Sequence, residues 1–371
     1  MRLGLSCGFF GQGRDEDNLA LVQRADELGV DVVWAAEAYG PDVVSVLAWI
    51  GARTEQIDLG AGVMQIPART PAATAMAAAS LDSLSGGRFR LGLGVSGPQV
   101  SEGWHGVRFD HPLARTREYA QIVRLALSHR SVAFEGEHFT LPLPGTQGKA
   151  LRLTHTHRRR IPLYLAAVGP KNIELAGEIA DGWLGVFVAP DYFAEQRAHL
   201  EAGRARRAPG TGPEDFDTSA TVALATGDDL EACVRTVSPY PALYVGGMGS
   251  RKQNFYHQLA CRMGYEEEAD RVQDLYLDKR WGEAAKALPP QFVDDTSLLG
   301  DVDRITERMR RYRDAGITTL TVAPWGKDLH ARLEALEIAV EAHARLEAEG
   351  DADGGDHVGV GQSGTDLASS D

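Results

Sequence analysis

Short β-like runs alternate with amphipathic helical runs along most of this chain, and eight of them read as strands, near residues 2–9, 30–37, 57–66, 88–95, 162–168, 182–188, 219–226 and 317–323. Such alternation belongs to βα units around a parallel sheet, and eight strands suit a sheet closed on itself as a (β/α)8 TIM barrel of the α/β class. The chain is long enough for this: 371 residues with 43% hydrophobic content can bury a large core. Helix punctuation agrees. Leu19, Val22, Ala25 and Leu28 lie at helical spacing before Gly29, a suitable residue just past a helix end. Thr70 and Pro71 form a cap and first turn for an alanine-rich helix to Leu84, and Asp301 caps a helix ending at Ala315-Gly316.

Two stretches break the period and place insertions after strands four and seven. The first, residues 131–160, holds a hairpin pattern at Phe134 to Phe139 and the basic run His157-Arg158-Arg159-Arg160, which reads as a solvated face. The second, residues 238–290, is a helical excursion. In a barrel, insertions after strands build the substrate side. One barrel domain is therefore expected over 1–349. From 350 to 371 the chain is rich in Asp and small polar residues, without Lys or Arg, and reads as a disordered acidic tail.

Within the fourth strand, Gly92, Gly94 and Gly97 satisfy G-x-G-x-x-G literally. As a dinucleotide fingerprint those glycines would open a helix, with an acidic residue about 20 positions on. The following Pro98 to Gly106 reads instead as a loop. Phe89, Leu91, Leu93 and Val95 alternate with Arg90, Gly92 and Gly94, so the strand itself carries the glycines. Glycine inside a strand marks a close backbone approach, which favours a barrel strand whose C-terminal end meets a flat ligand.

A net charge of −14 argues against a non-specific grip on nucleic acid or on an anionic membrane. No apolar run of 18 residues and no signal-peptide pattern is present, so a cytoplasmic protein is expected. Cys7, Cys233 and Cys261 are far apart and lack partners at metal-ligand spacing; buried, unbridged thiols and no metal are expected.

Several segments could carry chemistry. Val168-Gly169-Pro170-Lys171-Asn172 joins the fifth strand to a helix, and the free N–H groups of a helix N-terminus beside a lysine favour an anion such as phosphate. Gly60 and Gly62 stand near the end of the third strand, where a bulge would let the backbone touch a ligand ring; a purely structural bulge would use the same glycines. Glu37, with Tyr39 beyond it, ends the second strand and can transfer a proton or cap a loop. Glu102, Trp104 and His105 could stand over a barrel mouth as acid, aromatic wall and imidazole, or form a surface loop on a buried Trp. The glycine-rich Tyr244 to Gly249, followed by Arg251 and Lys252, could meet an anionic ligand tail.

Leu84-Ser85-Gly86-Gly87-Arg88-Phe89-Arg90-Leu91-Gly92-Leu93-Gly94, Ala167 to Lys171 with Ala180-Asp181-Gly182, and Tyr244 to Gly249 followed by Asn254-Phe255-Tyr256 occur in order. Together they resemble the luciferase-like monooxygenase superfamily, specifically its deazaflavin-dependent branch with methylenetetrahydromethanopterin reductase and the coenzyme F420-dependent secondary alcohol dehydrogenase. The resemblance spans about residues 1–348. It implies a barrel holding coenzyme F420 at the C-terminal strand ends, with FMN as the alternative. A cis peptide at Gly62-Val63, followed by Met64, would back the ring, and Ser96, Gly97, Val168, Gly169, Pro170, Lys171 and Asn172 would take the cofactor's phosphate side.

Several family members follow the acidic residue of strand two with His, whereas this chain has Glu37-Ala38. Alcohol oxidation then lacks its base. Reduction of an electron-poor C=C or C=N is expected, with Glu37, His105 or Glu102 supplying a proton to a small substrate. The rival readings are an FMN-dependent monooxygenase and a barrel that binds cofactor without chemistry. The family commonly pairs, so a homodimer is expected, with Val43, Val46, Leu47 and Ile50 serving either a dimer face or their own strands.

Overall fold

The computed structural model describes residues 1–7, 13–155, 158, 160–208, 213 and 215–354. Eight parallel strands close into a barrel: β1 (Arg2–Ser6), β2 (Val32–Ala35), β3 (Asp58–Ala61), β4 (Phe89–Gly94), β5 (Leu163–Ala166), β6 (Gly182–Val186), β7 (Asp217–Thr226) and β8 (Thr319–Pro324). Each pairs with the next, β8 returns to β1 through Arg2 and Thr319, and no barrel edge is left open. Most strands are shorter than their sequence runs, whereas β7 starts two residues before its run; of the first run, residues 8 and 9 lie outside the described residues.

The helices are α1 (Asp15–Glu27), α2 (Val43–Gly51), α3 (Pro71–Leu84), α4 (Pro98–Gly103), α5 (Pro112–Leu127), α6 (Pro170–Ile179), α7 (Phe193–Arg204), α8 (Leu230–Val237), α9 (Pro239–Gly247), α10 (Phe255–Arg262), α11 (Glu266–Leu277), α12 (Trp281–Ala287), α13 (Pro290–Asp295), α14 (Val302–Ala315) and α15 (Leu329–Gly354). Their starts follow the caps: Thr70 Oγ1 accepts from Ala73 N at 3.2 Å and Asp301 Oδ1 from Arg304 N at 2.8 Å. Gly29 and Gly316 take the left-handed conformation past helix ends, with φ of 76° and 105°.

The outer face of the sheet packs Leu5, Val33, Leu59, Leu91 and Leu163 against helix residues such as Leu21, Leu47 and Ala78. The inner face is filled by Val32, Trp34, Tyr164 and Leu184, with the Trp34 and Tyr164 rings edge to face at 5.1 Å. At the N-terminal strand ends, Arg90 pairs with Asp58 at 2.7 Å, and Asp217 accepts from Tyr164 OH at 2.9 Å and Thr319 Oγ1 at 2.8 Å. These interactions fill the N-terminal end of the barrel, and barrels of this kind bind their ligands at the C-terminal strand ends.

Several expectations change. Pro98 to Gly103 is a helix, not a loop; with under two turns it is too short to show an apolar period, and Pro98 at its first position was the available signal. A strand at Ser297–Gly300, absent from the sequence reading, extends the sheet beside the last turn of β7. The basic run is partly solvated and also paired: Arg158 bonds the buried Asp82 and the exposed Arg160 the buried Asp181, while 157 and 159 lie outside the described residues. Val43, Leu47 and Ile50 are fully buried in their own chain and cannot form a dimer face. The last helix runs on to Gly354, into the stretch read as tail; 355–371 lie outside the described residues. No described helix is long and apolar enough to cross a membrane.

Candidate active site

Strand three breaks at the barrel mouth. Gly60 stands opposite Arg90 and Met64 opposite Leu93, so this chain advances four residues while β4 advances three, and the extra residue forms a bulge. The Gly62-Val63 peptide within it is cis, as the resemblance implies. The bulge explains the β4 glycines. A Cβ on Gly92 would collide with the Ala61 carbonyl oxygen, and one on Gly94 would stand 2.6 Å from Val63 Cγ2. What approaches this backbone so closely is strand three and not a ligand. Gly60 likewise makes room for the Trp34 indole. Met64 is wholly buried, so its side chain cannot reach a ligand.

Glu37 follows β2 and anchors this bulge. Its Oε1 accepts from Gln65 N at 2.8 Å and from Arg69 Nη1 at 2.5 Å; its Oε2 accepts from Val43 N at 3.2 Å and Arg69 Nη2 at 3.0 Å. Burial disfavours the Arg69 charge, but the Glu37 hydrogen bond and the charges of Glu37 and Asp42 outweigh it and hold the guanidinium above its ordinary pKa. Four N–H donors on two oxygens use all the acceptor sites of the carboxylate. Glu37 therefore clamps the bulge to Arg69 and to the start of α2. Tyr39 beside it is largely exposed.

From the clamped Gln65 a chain of side chains crosses the mouth. Gln65 Nε2 donates to Ser96 Oγ at 3.1 Å, and its Oε1 lies 3.0 Å from His105 Nε2. The amide orientation makes His105 the donor through Nε2–H, with Nδ1 as the ring's acceptor. Ser96 turns the chain with a φ of 62° and Gly97 begins α4. Glu102, exposed on α4, accepts from Phe109 N at 3.0 Å and ties down the loop that carries His105. Trp104 is 67% exposed, so it is not a buried anchor for this loop.

Across the mouth, Gly169 starts α6 with no side chain capping it. Lys171 points away: its Nζ pairs with Glu174 at 3.0 Å on the outer surface, and the Lys171 and Arg206 bonds hold that carboxyl below its usual range. A cation that does reach this turn is Arg262 of α10, whose Nη2 donates to Val168 O at 3.3 Å. Sequence reading missed it because its partner lies 94 residues away. Beside it stand Phe187, Tyr240, Tyr244 and Tyr256, with neighbouring ring centroids 4.8 to 5.3 Å apart, and Trp325 5.6 Å from Tyr240. Burial pushes the phenols of Tyr240, Tyr244 and Tyr256 upward, so they remain hydrogen-bond donors. The glycines at 246 and 247 have a different task from that expected: both pack against the Tyr276 ring, and Arg251 pairs with Asp274.

The family model for luciferase-like monooxygenases matches residues 1–319. The chain belongs to the luciferase-like monooxygenase family. Among the relatives of this family member, a protein of Mycobacterium tuberculosis provisionally named a coenzyme F420-dependent oxidoreductase is 45% identical over 328 residues, 87% of this chain and 94% of that protein. The 5,10-methylenetetrahydromethanopterin reductase of Archaeoglobus fulgidus is 29% identical over 314 residues, 83% of this chain and 89% of that one. Among solved structures, the coenzyme F420 dependent tetrahydromethanopterin reductase of Methanopyrus kandleri superposes with a TM-score of 0.74 at 23% identity, over 92% of this chain and 97% of its own. At that identity the likeness speaks for the barrel.

Proposed function

We propose that this luciferase-like family member is a coenzyme F420-dependent oxidoreductase that reduces an electron-poor C=C or C=N, or a carbonyl, of a small organic substrate. The residues at the mouth fit such a cofactor: a Cβ at Gly169 would meet nothing within 4 Å, and one at Gly97 only Gln99 Oε1 at 3.8 Å, so a large planar group and its phosphate can come close. Gly62 and Val63 would back the ring; Ser96, Gly97 and the Val168 to Asn172 turn, with Arg262 beside it, would hold the charged side. When bound, the deazaflavin supplies the hydride.

The protein aligns the substrate and provides a proton. His105 gives that proton from Nδ1, with Gln65 holding Nε2 and the Glu37 clamp holding Gln65. Glu102 fixes the loop. One observation carries the direction toward reduction: Ala38 follows Glu37, and Glu37 is saturated by Arg69, so the end of β2 offers no carboxylate and imidazole pair to strip a proton from an alcohol. The test mixes purified protein with reduced F420 and a panel of enones, imines and secondary alcohols, following the deazaflavin band. Turnover of alcohols with oxidised F420, and none of the enones or imines, would refute the reductive reading; tight FMN binding with oxygen consumption would replace the cofactor. Pairing of two copies, also proposed, rests on the family resemblance, and a monomer mass by light scattering refutes it.

A further inference from the structure

Between α10 and α11, three side chains form a line. Cys261 Sγ lies 3.6 Å from His257 Nδ1, one turn earlier on the same helix, and His257 Nε2 lies 2.9 Å from Asp270 Oδ1. The carboxylate fixes the ring with its proton on Nε2, so Nδ1 presents a lone pair to the thiol. This thiol also differs from the others in access. Cys7 and Cys233 are buried, whereas Cys261 is half-buried at the edge of the second core beside Val272 and Tyr265.

We propose that Cys261 is a thiol–disulfide exchange site, with His257 as its base and Asp270 as the group that orients the base. Burial, together with the charges of Asp270 and Glu266, raises the Cys261 pKa against the opposing charge of Arg262, so the free thiolate is scarce and a neighbouring base is needed. His257 Nδ1 takes the thiol proton as Sγ attacks one sulfur of a small-molecule disulfide. The new Sγ–S bond forms, the reagent's S–S bond breaks, and the leaving thiolate recovers the proton from the imidazolium. Cys261 is oxidised and the departing half of the reagent is reduced. Nothing in this chemistry depends on the bound cofactor.

The test incubates the folded, full-length protein with oxidised glutathione and follows intact mass and peptide maps. One adduct per chain is expected, on Cys261, reversed by dithiothreitol, with Cys7 and Cys233 unmodified. His257→Gln lowers the rate at least about tenfold. Asp270→Ala alters a side chain that is 66% exposed, so the fold persists, and the rate falls several-fold because the ring loses its orientation. Melting temperatures of both variants are measured alongside. If His257→Gln does not fold, Asp270→Ala decides. Adducts forming first on Cys7 or Cys233, or an unchanged rate in a folded variant, would overturn the proposal.

Discussion

Replacing Glu37 by Gln separates a clamp from an acid. The side chains of Glu37 and Arg69 are 7% and 16% exposed, and the pair is bidentate. Glutamine keeps one acceptor, turns an NH2 toward N–H donors and leaves Arg69 with Asp42 alone. Removing one partner of a buried pair costs about 3 to 5 kcal/mol; because Asp42 remains and Arg69 sits at the rim, the lower end, about 3 kcal/mol, applies. Unfolding entropy of roughly 2.1 cal/mol/K per residue over roughly 340 ordered residues gives about 0.7 kcal/mol/K, so the melting temperature falls by about 4 °C. Calorimetry measures this. Arg69→Gln in the same protein restores part of the loss, since the buried guanidinium is gone and Asp42, 49% exposed, keeps its water, and the double-mutant cycle shows a coupling of about 2 kcal/mol. An acid would behave differently: Glu37→Gln with native stability, native cofactor affinity and lost turnover would refute the clamp and return the residue to proton transfer.

The other expectations are as specific. Arg262→Gln weakens deazaflavin binding by about tenfold or more in a fluorescence titration, a lost charge-assisted hydrogen bond, whereas Lys171→Ala, outward and paired with Glu174, changes it less than about threefold. His105→Gln cuts turnover by about 10² to 10⁴ with little change in cofactor affinity, and Gln65→Leu moves the pH–rate profile by freeing the ring, as steady-state kinetics across pH would show. Gly92→Ala fails to fold or melts well below the native protein, since its methyl meets the Ala61 carbonyl, while Gly169→Ala keeps the native melting temperature. Asp26 accepts from the backbone N–H groups of Glu55, Gln56 and Ile57; burial opposes its charge, these bonds outweigh burial, and its pKa lies below the usual value. A depressed folded pKa means that its stabilisation is complete above about pH 4 and lost as pH falls through the folded value, so Asp26→Asn lowers the melting temperature at pH 7 and narrows the gap in acid.

The barrel was legible because its signals are local: each strand run and each cap, Thr70 and Asp301 among them, is set by neighbours within a few positions. The short Ser297–Gly300 strand escaped because four residues carry almost no period. At the mouth the difficulty is of another kind. Glycines 92 and 94 announced that something approaches the strand, yet sequence cannot say whether that is a ligand or another strand; here it is the Val63 bulge, 31 residues upstream of Gly94. Glu37 looked like an available acid because nothing near it in sequence showed Arg69, and Lys171 looked like the phosphate's cation because nothing near it showed Arg262. Each misreading treats a charge as free until its distant partner is found. A charged residue at a strand tip is thus informative about chemistry only after its long-range pairs are known, and at this mouth that criterion is why His105, held by the neutral Gln65 amide and not by a charge, is the residue proposed to carry the proton.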